Sequence, residues 1–233
     1  MTEIIEVIDK VILDIRSGKY GANEKLPSEN ELAYTFNVPR MTIRKAYERL
    51  QEMGMIYSRQ GKGSFVKDRR NRIPLVLSGD VSFSEKMREQ GYRFESVNIY
   101  CAPIIYNAKV FQFLEAKEED KVFKIGRLRL IDEQPVALHV SYVNQSVFQD
   151  IEQDGSSISS MFEYYKRYGF SAFTSFSSTL SVTFPAQFER EVLECTSLIP
   201  LLTVESGCVD QETGTVLEYT NIFYRSDRFI YEI

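Results

Sequence analysis

Residues 26–66 read LPSENELAYTFNVPRMTIRKAYERLQEMGMIYSRQGKGSFV, and the punctuation within this stretch decides the fold. Ser28 and Glu31 have capping-box spacing: the hydroxyl accepts from the backbone N–H three residues on, and the glutamate reaches back. A short helix follows, with Leu32, Ala33 and Phe36 on its buried side. Asn37-Val38-Pro39 is a tight connection, and Pro39 suits a first helical turn because no N–H is needed there. The next helix, RMTIRKAYERLQEM, puts Ile43, Ala46, Tyr47, Leu50 and Met53 on its core stripe. Arg40, Thr42, Arg44, Lys45 and Arg49 are left to solvent, and Gly54 ends the helix. Upstream, Ile4, Ile8, Val11 and Ile15 recur at helical spacing, which predicts a first helix over roughly 3–17.

Two short helices joined by a tight turn, the second basic in its first turns, form helix-turn-helix geometry. In a major groove arginine can bond bidentately to guanine, and a threonine methyl can meet a thymine methyl. Met55–Ser58 and Ser64–Val66 read as two strands with RQGKG between them. Gly61 and Gly63 permit positive φ, and Arg59 and Lys62 charge the tip. Such a hairpin is a wing, expected to meet phosphate or the minor groove. Nucleotide loops are excluded by spacing: a P-loop would need Gly at position 56, which is Ile, and a dinucleotide fingerprint would need Gly at 66, which is Val.

Charge is distributed accordingly. The 233 residues carry 28 Lys+Arg against 33 Asp+Glu, a formal net charge of -5. Residues 1–72 are nevertheless net +4, and 40–72 alone net +7, against -9 for the remainder. A basic block on an acidic chain marks one polyanion-facing surface. No apolar run approaches the roughly 20 residues of a membrane span. The start mixes acids into its apolar residues, unlike a signal peptide. Three scattered cysteines and one histidine make a zinc site or disulfide framework improbable and fit a reducing cytoplasm.

The stretch 26–66 resembles the winged-helix signature of the GntR family of bacterial transcription regulators. The resemblance implies a DNA-facing surface made by Lys25, Ser28, Asn30, Arg40, Thr42, Arg44, Lys45, Arg59, Gly61, Lys62 and Gly63. Two positions depart from the family pattern. Many members carry a DNA-contacting arginine where Asn30 stands, and a serine or threonine is common where Pro39 stands.

KDRRNRIP, residues 67–74, is charged and ends in proline, as exposed linkers do. The expected organisation is a DNA-binding domain over 1–68, a linker over 69–75 and an effector domain over 76–233. In the last, helical and strand-like segments alternate: SFSEKMREQG, ESVNIYCAPII, NAKVFQFLEA, VFKIGRLRLID, PVALHVSYV, SMFEYYKRYG, residues 170–183, PAQFEREVLEC, and a hairpin about Glu212-Thr213-Gly214. The fold class is α+β, with a largely antiparallel sheet in this second domain. In residues 123–131 the odd positions put Arg127 and Arg129 on one face among apolar residues. They are surface arginines, partners of internal glutamates, or a site for phosphate or carboxylate. Ser82 and Ser84 either cap a helix or donate to the same anion.

This second part resembles, more loosely, the UTRA effector-binding domain of the HutC branch of GntR regulators, which has a chorismate-lyase-like fold. SFSEKMREQG, RLRLIDEQPVALHVSYV and LEYTNIFYRSDRFIYEI carry the likeness. It implies that Ser82, Ser84, Arg127 and Arg129, with Phe83 among them, hold a phosphate, while Glu218 and Tyr224 face a sugar end. Ser160 matches a further serine; His139 stands where a glutamate is usual, and Phe162 where a tyrosine is common. The expectation is a cytoplasmic homodimeric regulator, a repressor rather than an activator. Its partners are double-stranded operator DNA and a small anionic effector such as a sugar phosphate, with no cofactor, metal or membrane. The alternatives are an enzyme of lyase-like fold and a ligand-independent DNA-binding protein. One histidine, no Ser-His-Asp set and no nucleotide loop leave little catalytic machinery.

Overall fold

The computed structural model describes residues 2–68, 73–76 and 81–232. It divides into two compact units that part at Ile73/Pro74, with Cys195–Ile199 belonging to the first.

In the first unit, α1 (Thr2–Arg16), α2 (Glu29–Phe36) and α3 (Arg40–Glu52) precede a hairpin of β1 (Ile56–Arg59) and β2 (Gly63–Val66). The capping box is present: Ser28 Oγ accepts from the Glu31 N–H at 3.2 Å, and Glu31 accepts from the Ser28 N–H at 2.7 Å. Asn37 closes α2 in the left-handed region at φ 53°, so the chain turns within three residues into α3. The core is built from Val7, Val11, Leu26, Ile43, Ala46, Tyr47, Leu50, Ile56 and Val66. The buried line of α1 runs through Val7 and Val11, with Ile4, Ile8 and Ile15 on its flanks. Leu32, Ala33 and Phe36 are only partly buried, and Met53, expected in the core, is half-buried at the C-cap of α3.

The second unit is a six-stranded antiparallel sheet in the order β4-β5-β6-β9-β8-β7. The strands are β4 (Phe94–Pro103), β5 (Val122–Ile131), β6 (Gln134–Asn144), β7 (Phe173–Thr183), β8 (Leu201–Asp210) and β9 (Val216–Arg225). Asp132 and Glu133, at φ 49° and 64°, make a two-residue turn with both centres left-handed, the geometry whose twist matches a hairpin. That turn and a register shift between Arg129 and Leu130 together set the β5–β6 pairing, in which Arg127 lies opposite His139 and Arg129 opposite Ala137.

Short helices pack on the sheet: α4 (Phe83–Glu89), α5 (Ala108–Phe113), α6 (Ile151–Asp154), α7 (Met161–Arg167) and α8 (Gln187–Leu193). Phe113 of α5 stacks on Phe176 and Tyr219, and Phe188 of α8 meets Tyr100. Two central glycines serve this face. A Cβ on Gly126 would stand 2.3 Å from the Tyr100 ring, and one on Gly207 2.3 Å from the Phe176 ring.

Residues 73–75, expected in the linker, lie instead in a strand: β3 (Ile73–Val76) pairs with β10 (Phe229–Glu232). A four-residue strand containing Pro74 carries almost no periodic signal, which hides it in the sequence. Residues 69–72 of the expected linker lie outside the described residues.

Candidate functional site

Two sites can be built from the residues upward. The first lies on the N-terminal unit. Lys25, Ser28, Asn30, Arg40, Arg44, Lys45, Arg59, Gly61, Lys62 and Gly63 are all exposed, and Thr42 is half-buried. Capping occupies Ser28 as an acceptor but leaves its O–H free to donate. Three cations of the helical part are held by carboxylates: Arg40 on Glu29 at 2.7 Å, Arg44 on Glu48 at 3.2 Å and Arg49 on Glu52 at 2.9 Å. Such exposed pairs are weak, so they position the guanidiniums without withholding them from a polyanion. At the wing, Gly61 and Gly63 take φ 70° and 104°. A side chain at 63 would press against Lys25, which bridges to Phe65. Arg59 lies over the Tyr57 and Phe65 rings at 5.3 and 5.4 Å.

The second site is a cavity of about 220 Å³ in the C-terminal unit. Its floor is one face of the sheet. Register places Arg127 opposite His139 opposite Ile222, and Arg129 opposite Ala137 opposite Tyr224. Thr220 and Ser206 form the next rung, and Glu218 with Cys208 the one beyond. The starts of α4 and α7 reach the same cavity through Ser82, Phe83, Ser84, Ser160, Met161 and Phe162. Every effector residue expected from the sequence is therefore gathered around one space.

Arg127 and Arg129 are each 3 % exposed, so neither is a surface arginine. Arg127 donates to Ser141 Oγ and faces Glu218 Oε1 at 3.6 Å, and Tyr165 donates to the other oxygen of Glu218. Arg129 donates to Ser96 Oγ and, at 2.9 Å, to the Ser159 carbonyl, but no described carboxylate pairs with it. That carbonyl also accepts from Ser96 Oγ at 2.8 Å, and Asn98 holds the preceding turn by donating to Gly155 O at 2.7 Å and Ile158 O at 3.0 Å. Both arginines leave Nε buried and without a partner. Arg225 shows the contrast: it is tied to Asp227 and to the Leu193 and Pro135 carbonyls, as a purely structural buried arginine is.

Burial lowers the affinity of both guanidiniums for their protons, and for Arg129 the neighbouring Arg127 adds to this. Arginine keeps its charge in proteins, so the effect is an unfavourable positive potential at the cavity. Burial, then Arg129, Arg127 and Lys86, holds His139 well below the usual imidazole range.

The serines divide. Ser82 is the N-cap of α4, accepting from the Glu85 N–H at 3.2 Å, and Ser160 caps α7 at 3.4 Å. Ser84 lies inside α4 and is buried. Glu218 and Tyr224 lie six positions apart on β9, Tyr224 on the Arg129 rung and Glu218 two rungs beyond His139. His139 is 6 % exposed. Ser141, Tyr165, Ser96 and Thr220 escaped the sequence reading. Ser141 and Thr220 sit two residues from His139 and Glu218 on the same strand faces, so alternation pointed to them; nothing local pointed to Tyr165.

Comparison with known proteins covers both units. Residues 4–66 match the bacterial regulatory proteins of the gntR family, and residues 89–230 match the UTRA domain. The HTH-type transcriptional repressor NagR of Bacillus subtilis is 25 % identical over 226 residues, covering 97 % of this chain and 91 % of its own length. The uncharacterized HTH-type regulator YurK of the same organism is 31 % identical over 183 residues, covering 78 % and 74 %. The probable fructoselysine utilization operon transcriptional repressor of Escherichia coli K12 is 26 % identical over 225 residues, 95 % and 90 % of the two chains. Among solved structures, PhnF of Mycobacterium smegmatis superposes with a TM-score of 0.64 at 20 % identity, covering 95 % and 96 %.

A winged helix-turn-helix joined to an effector-binding sheet domain defines a ligand-responsive transcription regulator rather than an enzyme. The chain belongs to the GntR family, in its UTRA-containing HutC branch; it binds DNA through the helix-turn-helix and effector through the UTRA domain. Among the described residues no helix is long and apolar enough to cross a membrane, and no cluster of His, Cys, Asp or Glu could hold a metal ion.

Proposed function

We propose that the protein is a cytoplasmic, homodimeric repressor released from its operator by a small anionic metabolite, a phosphorylated sugar or a close relative. One observation carries the effector class. Arg129 is a buried guanidinium with no carboxylate among the described residues, beside Arg127, and both line the same cavity with an unpartnered Nε. An isolated buried charge is costly unless paired, and a bidentate oxyanion is its natural partner. The rest of the lining supports a hydroxyl-rich remainder: Ser175, Ser178, Thr179, Ser206 and Thr220 face the same cavity. Relatives named as repressors, one of them of a fructoselysine utilization operon, support the sign of regulation and a carbohydrate-derived effector.

A homodimer presents two recognition helices to two half-sites. Effector acts by population shift: it favours an arrangement of the DNA-reading heads that no longer fits half-site spacing, and only by as much as it binds that arrangement better. The test is a thermal-shift screen of phosphorylated sugars at millimolar concentration, followed by operator titration with and without each hit. A true effector at about 100 times its Kd adds about 2.7 kcal/mol of stability and weakens operator binding. Stabilisation with unchanged operator affinity would refute the switch. No response to any phosphorylated sugar, carboxylate or sulfate would refute the anion site and favour ligand-independent DNA binding.

A further inference from the structure

His139 is the one histidine of the chain, and its place in the cavity is specific. It stands on β6 directly opposite Arg127 on β5, with Ile222 on the other side on β9. Its ring packs edge-on to Phe83 at 5.3 Å and Tyr224 at 5.7 Å. The residue is 6 % exposed, lines the cavity, and leaves Nε2 buried without a hydrogen-bond partner. A polar atom in that position is costly to leave unsatisfied. Arg127 shares this rung and Arg129 stands on the next, each with its own unpartnered Nε.

We propose that binding of a dianionic oxyanion in this cavity is coupled to uptake of one proton by His139, making the imidazolium a third cationic donor to the anion beside Arg127 and Arg129. The inference rests on the reading of the cavity as an anion site and adds to it a proton linkage. The groups facing His139 set its direction. Arg127 and Arg129 act from β5 and Lys86 from α4, all cationic and all opposing a proton on the ring. From β9 come the Tyr224 hydroxyl and the Glu218 carboxylate, the latter engaged with Tyr165 and Arg127. Burial acts in the same sense as the cations, so the ring is neutral in the free protein. An anion on the two arginines cancels the repulsion. It is also an acceptor, and a protonated ring offers N–H from both nitrogens. The proton comes from solvent and is returned when the anion leaves.

Inorganic sulfate is the probe, because its own charge does not change across the range tested. A single histidine makes the imidazole C–H signals of the untagged full-length protein unambiguous. In chloride at matched ionic strength they should stay those of a neutral ring as pH falls through the ordinary imidazole value of about 6.5; in saturating sulfate they should move to imidazolium positions near neutrality. Sulfate affinity should fall by up to about tenfold per pH unit rise over the window in which the ring loses its proton. His139→Gln should bind sulfate with an affinity independent of pH. Sulfate that binds while the imidazole titrates as it does in chloride would overturn the proton linkage and leave the anion site standing. If neither sulfate nor inorganic phosphate binds on the order of 10 mM, the anion site and the linkage fall together. Should the Gln variant not fold, the wild-type resonances alone decide.

Discussion

Arg127 and Arg129 differ in what their removal leaves behind. Arg127→Met strips Glu218 of its cation in the interior, a loss of about 3–5 kcal/mol by analogy with broken buried pairs. Arg129→Met strands no carboxylate among the described residues and forgoes two hydrogen bonds, each about 1 kcal/mol, partly offset by relief of a buried charge that no described carboxylate pairs. Denaturant unfolding should therefore show the Arg127 variant clearly weaker than the Arg129 variant, while both lose the stabilisation by anions. Equal losses would mean that Glu218 does not compensate Arg127. His139 adds a pH term of known sign. Its folded affinity for a proton is depressed, so the unfolded chain binds the proton first. The stability it contributes is present above the ordinary imidazole value of about 6.5 and is lost as pH falls below it, by up to about 1.4 kcal/mol per unit. Below that value, ligand-free wild type should lose stability on acidification more steeply than His139→Gln; parallel curves would contradict a neutral buried ring.

The recognition helix and the wing make separable demands on DNA. Arg44 projects from the second turn of α3, and Arg44→Ala should cost about 1–3 kcal/mol on the operator and relax preference at one base pair. A loss equal on operator and random duplex would place Arg44 on phosphate instead. Lys62 lies at the wing tip, and Lys62→Ala should weaken all duplexes alike and reduce the salt slope by about 1. Glu29 holds Arg40 through an exposed pair worth roughly 0.2–1 kcal/mol. Glu29→Gln should tighten DNA binding two- to fivefold at low salt, with Arg40→Ala abolishing the gain. In the sheet, Gly126→Ala sets a methyl into the Tyr100 ring and should cost about 1–3 kcal/mol of stability.

At the scale of the whole molecule, a net charge of -5 keeps most of the surface averse to DNA and confines attraction to the basic N-terminal block. Operator affinity should therefore fall steeply with salt, while the affinity of the C-terminal cavity for a phosphorylated effector, being buried, should fall much less. Similar salt slopes for the two would argue against a buried anion site. Much of this architecture was written locally. Ser28, Glu31 and Gly54 bounded the short helices, and the turn at RQGKG set the wing. Alternation along residues 123–131 put both arginines on one face, because strand periodicity is a property of the chain itself. Alternation names a face, but not what stands across from it. That Arg127 would meet Glu218 while Arg129 would not, that Tyr165 would reach that carboxylate from α7, and that Ile73–Val76 would pair with Phe229–Glu232, were decided by register between segments far apart in sequence. Only tertiary pairing settles such partners, since each strand's own pattern is compatible with many neighbours until packing selects one.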